Sequence, residues 1–346
     1  MLNENIVSLL IPCYNGEQFV ERCLINVLEQ EYAQYIELIL VNDGSTDKTE
    51  EIIFQLQKRL DNELWRFCYI KQENQGVGSA MNAALKEVSG EYLTSLDIDD
   101  LMTKDCISKK VSWLKANPSY ALVRSNGYFL FPNQEKRLFY AEDYKASEDV
   151  FLDILNGRIY NWAGSYMIRT KKFLEKIPSR EIYPSRYGQN LQLLLPAAYQ
   201  NEGGYISSPL MMYYIHSESM THQEDKSGEK RWNYTYGFQD IYMHVIEEIC
   251  KENQKSSIYE KMIKATFSRQ RMELAIELKD KNLCKRAYKE LKDTKLQTEQ
   301  DRIRMYMFVS PDKRDYFKNN TEAWRKITRS FLEEVTNERT YYESET

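Results

Sequence analysis

At 346 residues and 42% hydrophobic content, the chain has room for one large domain or two smaller ones and enough apolar surface to bury a core. No apolar run approaches the roughly 18 to 20 residues of a membrane span, and MLNENIVSLLIP lacks the basic start and small-residue cleavage site of a signal peptide, so the cytoplasm is the expected address. A net charge of −5 without a dense basic cluster excludes nucleic acid as the main partner. Within that total the last third is net basic and the rest net acidic. Six cysteines (Cys13, Cys23, Cys68, Cys106, Cys250 and Cys284) show no CxxC spacing and fall mostly in apolar stretches, which reads as reduced core residues.

In chain order, residues 6–11 are a continuous apolar run, as expected of a strand buried on both faces of a parallel sheet, with Pro12 as its stop. Phe19, Val20, Cys23, Leu24, Val27 and Leu28 follow at helical spacing. Residues 36–41 predict a second strand, which ends in NDGSTD: Gly44 permits a tight turn, and Ser45, Thr46 or Asp47 caps a helix over 48–60. Residues 67–70 predict a third strand; a Gly-containing loop then enters a helix over 78–88 that closes at Gly90. The fourth strand is YLTSL, 92–96. Strands alternating with helices in this way point to a doubly wound α/β sheet, whose ligands bind beyond the carboxyl ends of the strands. Tyr14, Asn15, Asp43, Asp47, Asn74, Asp97, Asp99 and Asp100 all fall there.

Further on, residues 103–117 predict a helix, 120–131 a strand pair or hairpin, 149–156 a helix and 161–170 a returning strand. A polar loop then feeds a short apolar helix that Pro196 is expected to kink, and 205–222 read as a strand with a polar tail. From about Glu224 the pattern is helical with a charged surface, which gives an expected division into residues 1–223 and 224–346.

The chemistry concentrates at YLTSLDIDD, where a strand runs into Asp97, Asp99 and Asp100. Side chains alternate along a strand, so Asp97 and Asp99 are expected to leave it on the same side as paired hard-oxygen ligands. Such a pair suits Mg²⁺ or Mn²⁺, with substrate phosphates completing the coordination, and makes a nucleoside diphosphate the natural third party. The alternative is a solvated turn or a helix cap.

Several stretches together resemble the family 2 glycosyltransferases. VSLLIPCYNGEQFVERCLINVLEQ is similar to that family's opening strand and helix, ILVNDGSTDKT to its second strand and turn, NQGVGSAMNAAL to its third loop, and LTSLDIDD to its DxD strand. The resemblance covers about residues 5–222. It implies a GT-A fold, a Rossmann-like mixed α/β sheet flanked by helices, here with an α-helical C-terminal region. It also implies inverting transfer of a sugar from a UDP-sugar to a glycan or lipid-linked acceptor in building a cell-surface or exported polysaccharide. Carried over residue by residue, Pro12, Tyr14 and Asn15 line the uridine pocket and Asp43 accepts a hydrogen bond from the base. Asn74 and Asn82 belong to the nucleotide-sugar loop. Asp97 holds the ribose or the metal, and Asp99 ligates Mn²⁺ or Mg²⁺ across the diphosphate. In YYIHSESMTH, His216 and His222 are candidate further ligands. An Arg common in the third loop stands here as Met81, so that one positive contact is missing or supplied elsewhere.

The catalytic base departs most from the family. Inverting transfer needs a carboxylate in reach of the acceptor hydroxyl, yet the position that commonly carries it reads Gly188, Gln189, Asn190. Asn190 cannot take a proton, which leaves Asp100 or Glu181 as the candidate base. The alternative is a catalytically weak or silent partner that binds sugar nucleotide or scaffolds another transferase. A nucleotidyltransferase would show a Gly-rich, Lys-containing loop after the first strand, and CYNGEQF has none. For the C-terminal helices the expected roles are homo-oligomer contacts, acceptor binding or peripheral attachment to the inner face of the membrane.

Overall fold

The computed structural model describes residues 2–32, 34–61, 65–216, 228–251 and 256–309. The chain alternates β1 (Asn3–Cys13), α1 (Val20–Leu28), β2 (Ile36–Asp43), α2 (Thr49–Leu60), β3 (Trp65–Gln72), α3 (Val77–Glu87) and β4 (Gly90–Ser95). There follow β5 (Leu101–Met102), α4 (Cys106–Ala116), β6 (Leu122–Leu130), β7 (Lys136–Leu138), α5 (Val150–Leu155), β8 (Tyr166–Arg169), α6 (Thr170–Leu174), α7 (Gln189–Ala198) and β9 (Gly203–Tyr214). The strands form one mixed sheet in the order β3-β2-β1-β4-β8-β6-β9-β5, with β7 paired to β6. β1 to β4 run parallel, whereas β8 is antiparallel to both β4 and β6.

Every residue of β2 is buried, as a strand covered by helices on both faces must be. Alternation sorts the faces: Leu38 and Leu40 join Leu9 and Ile11 in a cluster with Cys23 and Leu24 of α1, Ile53 and Leu56 of α2, and Ile107 and Val111 of α4. The other face receives α3, whose Ala80, Met81, Ala84 and Leu85 are buried. At the foot of the sheet Glu37, 1% exposed, accepts from Ser8 Oγ, Arg66 Nη1, and Ser89 N and Oγ. One carboxylate thereby ties β1, β2, β3 and the entry to β4.

Several sequence expectations change, among them Gly90, which opens β4 and does not close α3. Pro12 does not stop β1, which continues to Cys13. Val7 N–H donates toward β2, so residues of even number direct their N–H toward β4, and β4 pairs with β1 only as far as Leu10↔Ser95. Pro12 therefore lacks its donor on a side where no strand would accept it. The stretch 120–131 is a single strand, and its hairpin partner β7 comes after the turn at Pro132. The returning strand of 161–170 is only β8, followed at once by the short helix α6. Finally, DIDD lies beyond the end of β4 in a turn closed by Asp100 N–H to Asp97 O at 3.1 Å, so strand alternation does not govern its side chains. It is no helix cap either, since α4 starts at Cys106 with Asp105 before it.

Four helices follow: α8 (Gly228–Ile249), α9 (Ser256–Glu277), α10 (Lys281–Asp293) and α11 (Glu299–Val309). The chain divides into two compact units, residues 1–225 with 237–260 and residues 226–236 with 261–346. The first contains the sheet. The second has its own core of Trp232, Met272, Ala275, Cys284, Ala287 and Leu291, and Asp280 caps α10 by accepting from Asn282 and Leu283 N–H. All six cysteines are free, as expected of reduced residues.

Glu37→Ala leaves the hydroxyls of Ser8 and Ser89 and the Ser89 amide without their acceptor, and is expected to cost about 2 kcal/mol of stability. Urea denaturation checks this; an unchanged midpoint would remove Glu37 as the tie between strands.

Candidate active site

Between β1 and β4 the sheet opens. β2 and then β3 lie on one side of β1, whereas β4 and all later strands lie on the other, so this is the point where strand order reverses. β1 stays paired with β2 to Cys13↔Asn42, while β4 leaves after Ser95 and keeps only Leu96 N–H to Leu10 O at 2.9 Å. The loops after the four parallel strands surround the resulting crevice.

The first two loops are stitched together. Asn15, at φ 47, donates its N–H to Ser45 Oγ at 3.0 Å and accepts from Thr46 N–H at 2.9 Å; Gly16 N–H donates to Thr49 Oγ1 at 2.8 Å. Asp47 accepts from Glu17 N–H and Thr49 N–H; its partial burial works against the charge, but these hydrogen bonds outweigh it and hold the carboxyl below its ordinary range. Asn15 and Asp47 thus set the loop geometry and leave Tyr14 presenting its ring to solvent beside Pro12.

Asp43, 4% exposed, reaches across to the third loop. Its Oδ1 accepts from Gln72 Nε2 at 2.7 Å and Gln75 N–H at 3.0 Å, and its Oδ2 from Gly76 N–H at 2.8 Å. Oδ2 retains acceptor capacity for one further donor. Gly76, at φ 89, needs the left-handed backbone that only glycine adopts freely. Asn74 is exposed on this loop. Asn82 is engaged elsewhere, its amide holding both backbone groups of Ile182, and Met81 is fully buried in α3 and brings nothing to the crevice.

In the acid turn each carboxylate has a different partner. Asp97 Oδ1 accepts from Gln189 Nε2 at 3.2 Å, and the Asn190 side chain also hydrogen-bonds this carboxylate. Burial first, and the Asp99 charge second, push Asp97 up to about 7 against these amides. Asp99 Oδ2 accepts from His216 Nε2 at 2.8 Å, and the Asp99 carbonyl accepts from Arg22 Nη2 at 2.6 Å. The His216 ring lies 4.7 Å from that of Phe19 and 5.5 Å from that of Tyr214, whose face Arg22 covers at 4.8 Å. Asp100, 1% exposed, accepts Tyr214 N–H at Oδ1, but its Oδ2 has no partner; burial, with the Asp99 and Asp97 charges behind it, holds it well above the usual carboxylate range. Asn190 is fixed from behind: its Oδ1 accepts from Ser95 Oγ at 2.8 Å and Tyr166 O–H at 3.0 Å. His222 lies outside the described residues.

The structure therefore brings Asp97, Asp99, Asp100, Asn190 and His216 together, places Pro12, Tyr14, Asn15 and Asp43 around the same crevice, and leaves Asn82 bound to the 182 segment. Among the described residues no group of three His, Cys, Asp or Glu stands ready to hold a metal. The chemistry of the donor set nonetheless fits a hard divalent cation: Asp97 and Asp99 are oxygen donors, His216 is already in register with Asp99, and Asp100 Oδ2 is an orphaned carboxylate oxygen. Sequence reasoning assigned no site role to Gln189, Arg22, Ser95 or Tyr166. The amide of Gln189 beside Asn190 was the one visible signal; a Tyr and a Ser within strands carried none.

The third loop is held to Asp43 by two backbone N–H groups. Asp43→Ala is expected to speed amide hydrogen exchange at Gln75 and Gly76 while leaving Leu9 to Ile11 of β1 protected, and equal exchange at all these positions would show that the loop is held by something else.

A family model described as Glycosyl transferase family 2 matches residues 8–177. Glycosyltransferase GlyA of Streptococcus pneumoniae is 35% identical over 138 residues, 38% of this chain and 19% of that protein. Poly-beta-1,6-N-acetyl-D-glucosamine synthase of Staphylococcus epidermidis is 36% identical over 121 residues, 35% of this chain and 28% of that one. The chain thus spans less than a third of either relative's length. Among solved structures, S. aureus TarS 1-349 in complex with UDP-GlcNAc superposes with a TM-score of 0.62 at 15% identity, over 91% of this chain and 93% of that chain. That likeness, with the mixed sheet and the helical C-terminal region, shows the GT-A fold. Through its residues 8–177, the chain belongs to glycosyl transferase family 2.

Proposed function

We propose that the chain transfers a sugar from a UDP-sugar to a glycan acceptor, with inversion and with a divalent metal. The observation that carries this reading is the acid turn at the point where β1 and β4 part, where His216 meets Asp99 and the Asp97 carboxyl feels the Asp99 charge. Asp43 Oδ2 accepts from the base, Tyr14 and Pro12 flank it, and Asp97 lies toward the ribose. Asp99, with Asp97 and His216, would hold Mn²⁺ or Mg²⁺, which when bound would supply Lewis-acid neutralisation of the charge on the departing diphosphate. UDP-GlcNAc is the donor named for the TarS complex, and an N-acetylglucosamine polymer is the product named for the staphylococcal relative; both support a UDP-GlcNAc donor here. No helix among the described residues is long and apolar enough to cross a membrane.

Proton removal from the acceptor falls to a carboxylate near the acid turn. Glu181 is exposed and faces Lys86 at 3.5 Å, whereas Asp100 sits beside the ligands with one oxygen unpaired and a raised proton affinity. Asp100 is the base in this reading, and Asn190 and Gln189 orient Asp97. A second reading, a silent partner that binds sugar nucleotide, is favoured by one observation: the position at the start of α7 is an amide, locked by Ser95 and Tyr166 and unable to take up a proton.

Asp99→Ala is expected to abolish metal-dependent hydrolysis of UDP-GlcNAc while leaving the melting temperature within a degree or two of wild type, since the residue lies in a loop at the crevice mouth. Retained hydrolysis would remove Asp99 from the metal site. Asp100→Asn is expected to lower transfer by about 10² to 10⁴-fold, the range for general base catalysis, while Asn190→Ala lowers it modestly. Transfer rates at saturating donor decide between the readings: a wild-type rate in Asp100→Asn removes it as base, and no turnover by the wild-type protein with any UDP-sugar, despite tight UDP binding, favours the silent partner.

A further inference from the structure

The crevice is lined by acidic side chains. Asp43, Asp97, Asp99 and Asp100 surround it, Arg22 is engaged by the Asp99 carbonyl and the face of Tyr214, and Lys71 is paired with Glu50 at 2.7 Å. A nucleoside diphosphate brings further anionic oxygens, which a cation fixed on the protein would meet beside the divalent metal of the donor reading.

Arg186 is placed to do this. Residues 183–186 pack against the third loop: Gly78 N–H donates to Ser185 O at 2.9 Å, and Gln192 Nε2 to Tyr183 O at 3.0 Å and Ser185 Oγ at 3.2 Å. Arg186 itself meets the loop at Gly76, where an added Cβ would lie 3.2 Å from Arg186 Cγ and 3.5 Å from its Cα. Gly76 is also the residue whose N–H holds Asp43 Oδ2. Three positions after Arg186, Gln189 Nε2 donates to Asp97 Oδ1. The stem of Arg186 therefore stands against the residue that holds Asp43, three positions ahead of the amide that holds Asp97. Its side chain is exposed, and among the described residues it has no hydrogen bond or ion pair. A planar guanidinium on a stem fixed at one end suits two-pronged contact with phosphate oxygens.

We propose that Arg186 binds the diphosphate of the nucleotide donor, as a residue of the α6–α7 segment that closes over the third loop. This rests on the donor reading above. The contact persists in the product complex with UDP, so it strengthens binding of the nucleotide before and after transfer alike.

Titration calorimetry with Mg²⁺ present, using UDP and uridine as probes on the full chain, tests it. Wild type is expected to bind UDP, Arg186→Ala to bind it about 10- to 100-fold more weakly, the range of one charged hydrogen bond, and Arg186→Lys to fall between. Uridine affinity is expected to be equal in wild type and Arg186→Ala, which also shows that the variant is folded. Equal UDP affinity in Arg186→Ala overturns the proposal while the donor reading stands. An equal loss for uridine and UDP assigns the contact to the nucleoside and overturns the diphosphate role. A wild-type protein that binds neither probe overturns the donor reading itself.

Discussion

The site depends on a single departure from regular pairing: β4 leaves β1 after Ser95 while β1 and β2 continue together. A parallel strand that loses its neighbour has backbone donors and acceptors with no ladder to join, and each must find another partner or solvent. Pro12 removes one such donor. Leu96 supplies one remaining bond to Leu10, and the chain then turns through Asp97 to Asp100 into the opened space. The polar groups assigned to substrate in the proposed reading stand at strand ends or on loops that border that gap.

Electrostatics explains why these loops are so heavily braced. Carboxylates set close together and partly removed from water favour their neutral forms, as the raised Asp97 and Asp100 show. Keeping them together requires hydrogen-bond donors on every side. Gln189 and Asn190 serve Asp97, His216 serves Asp99, and the Tyr214 amide serves Asp100, so that α7 and the end of β9 are both fastened to the turn from Asp97 to Asp100. Asp43 follows the opposite rule: it receives one donor from the end of β3 and two from the loop after it, and shows how a carboxylate can shape backbone and still offer an oxygen outward.

The amides at 189 and 190 alter what this arrangement does. A carboxylate at 190 would lie against Asp97 and add another like charge to a crowded cluster; Asn190 instead accepts from Ser95 and Tyr166 and donates toward Asp97. Asn190 thus adds no further repulsion beside Asp97, and in the reading proposed above the base is sought elsewhere. Tyr166, buried on β8, links this network to the antiparallel part of the sheet, so the mixed topology bears on the chemistry directly.

Local sequence determined the parallel half of the fold. Apolar runs at 6–11, 36–41, 67–70 and 92–96, each followed by turn-forming or acidic residues, depend on interactions within a few positions, which is why their order and their ligand-facing ends were legible. Asp97 and Asp99 were legible for the same reason, as acids at a strand end. The partners of those residues were decided only by tertiary structure. Arg22 reaches Asp99 across 77 residues, Gln189 reaches Asp97 across 92, and His216 reaches Asp99 across 117. No periodicity within a strand or helix encodes such pairings. They follow from which strands lie side by side, and the antiparallel insertion of β8 between β4 and β6, which brings Tyr166 to Asn190, is set by packing over the whole sheet.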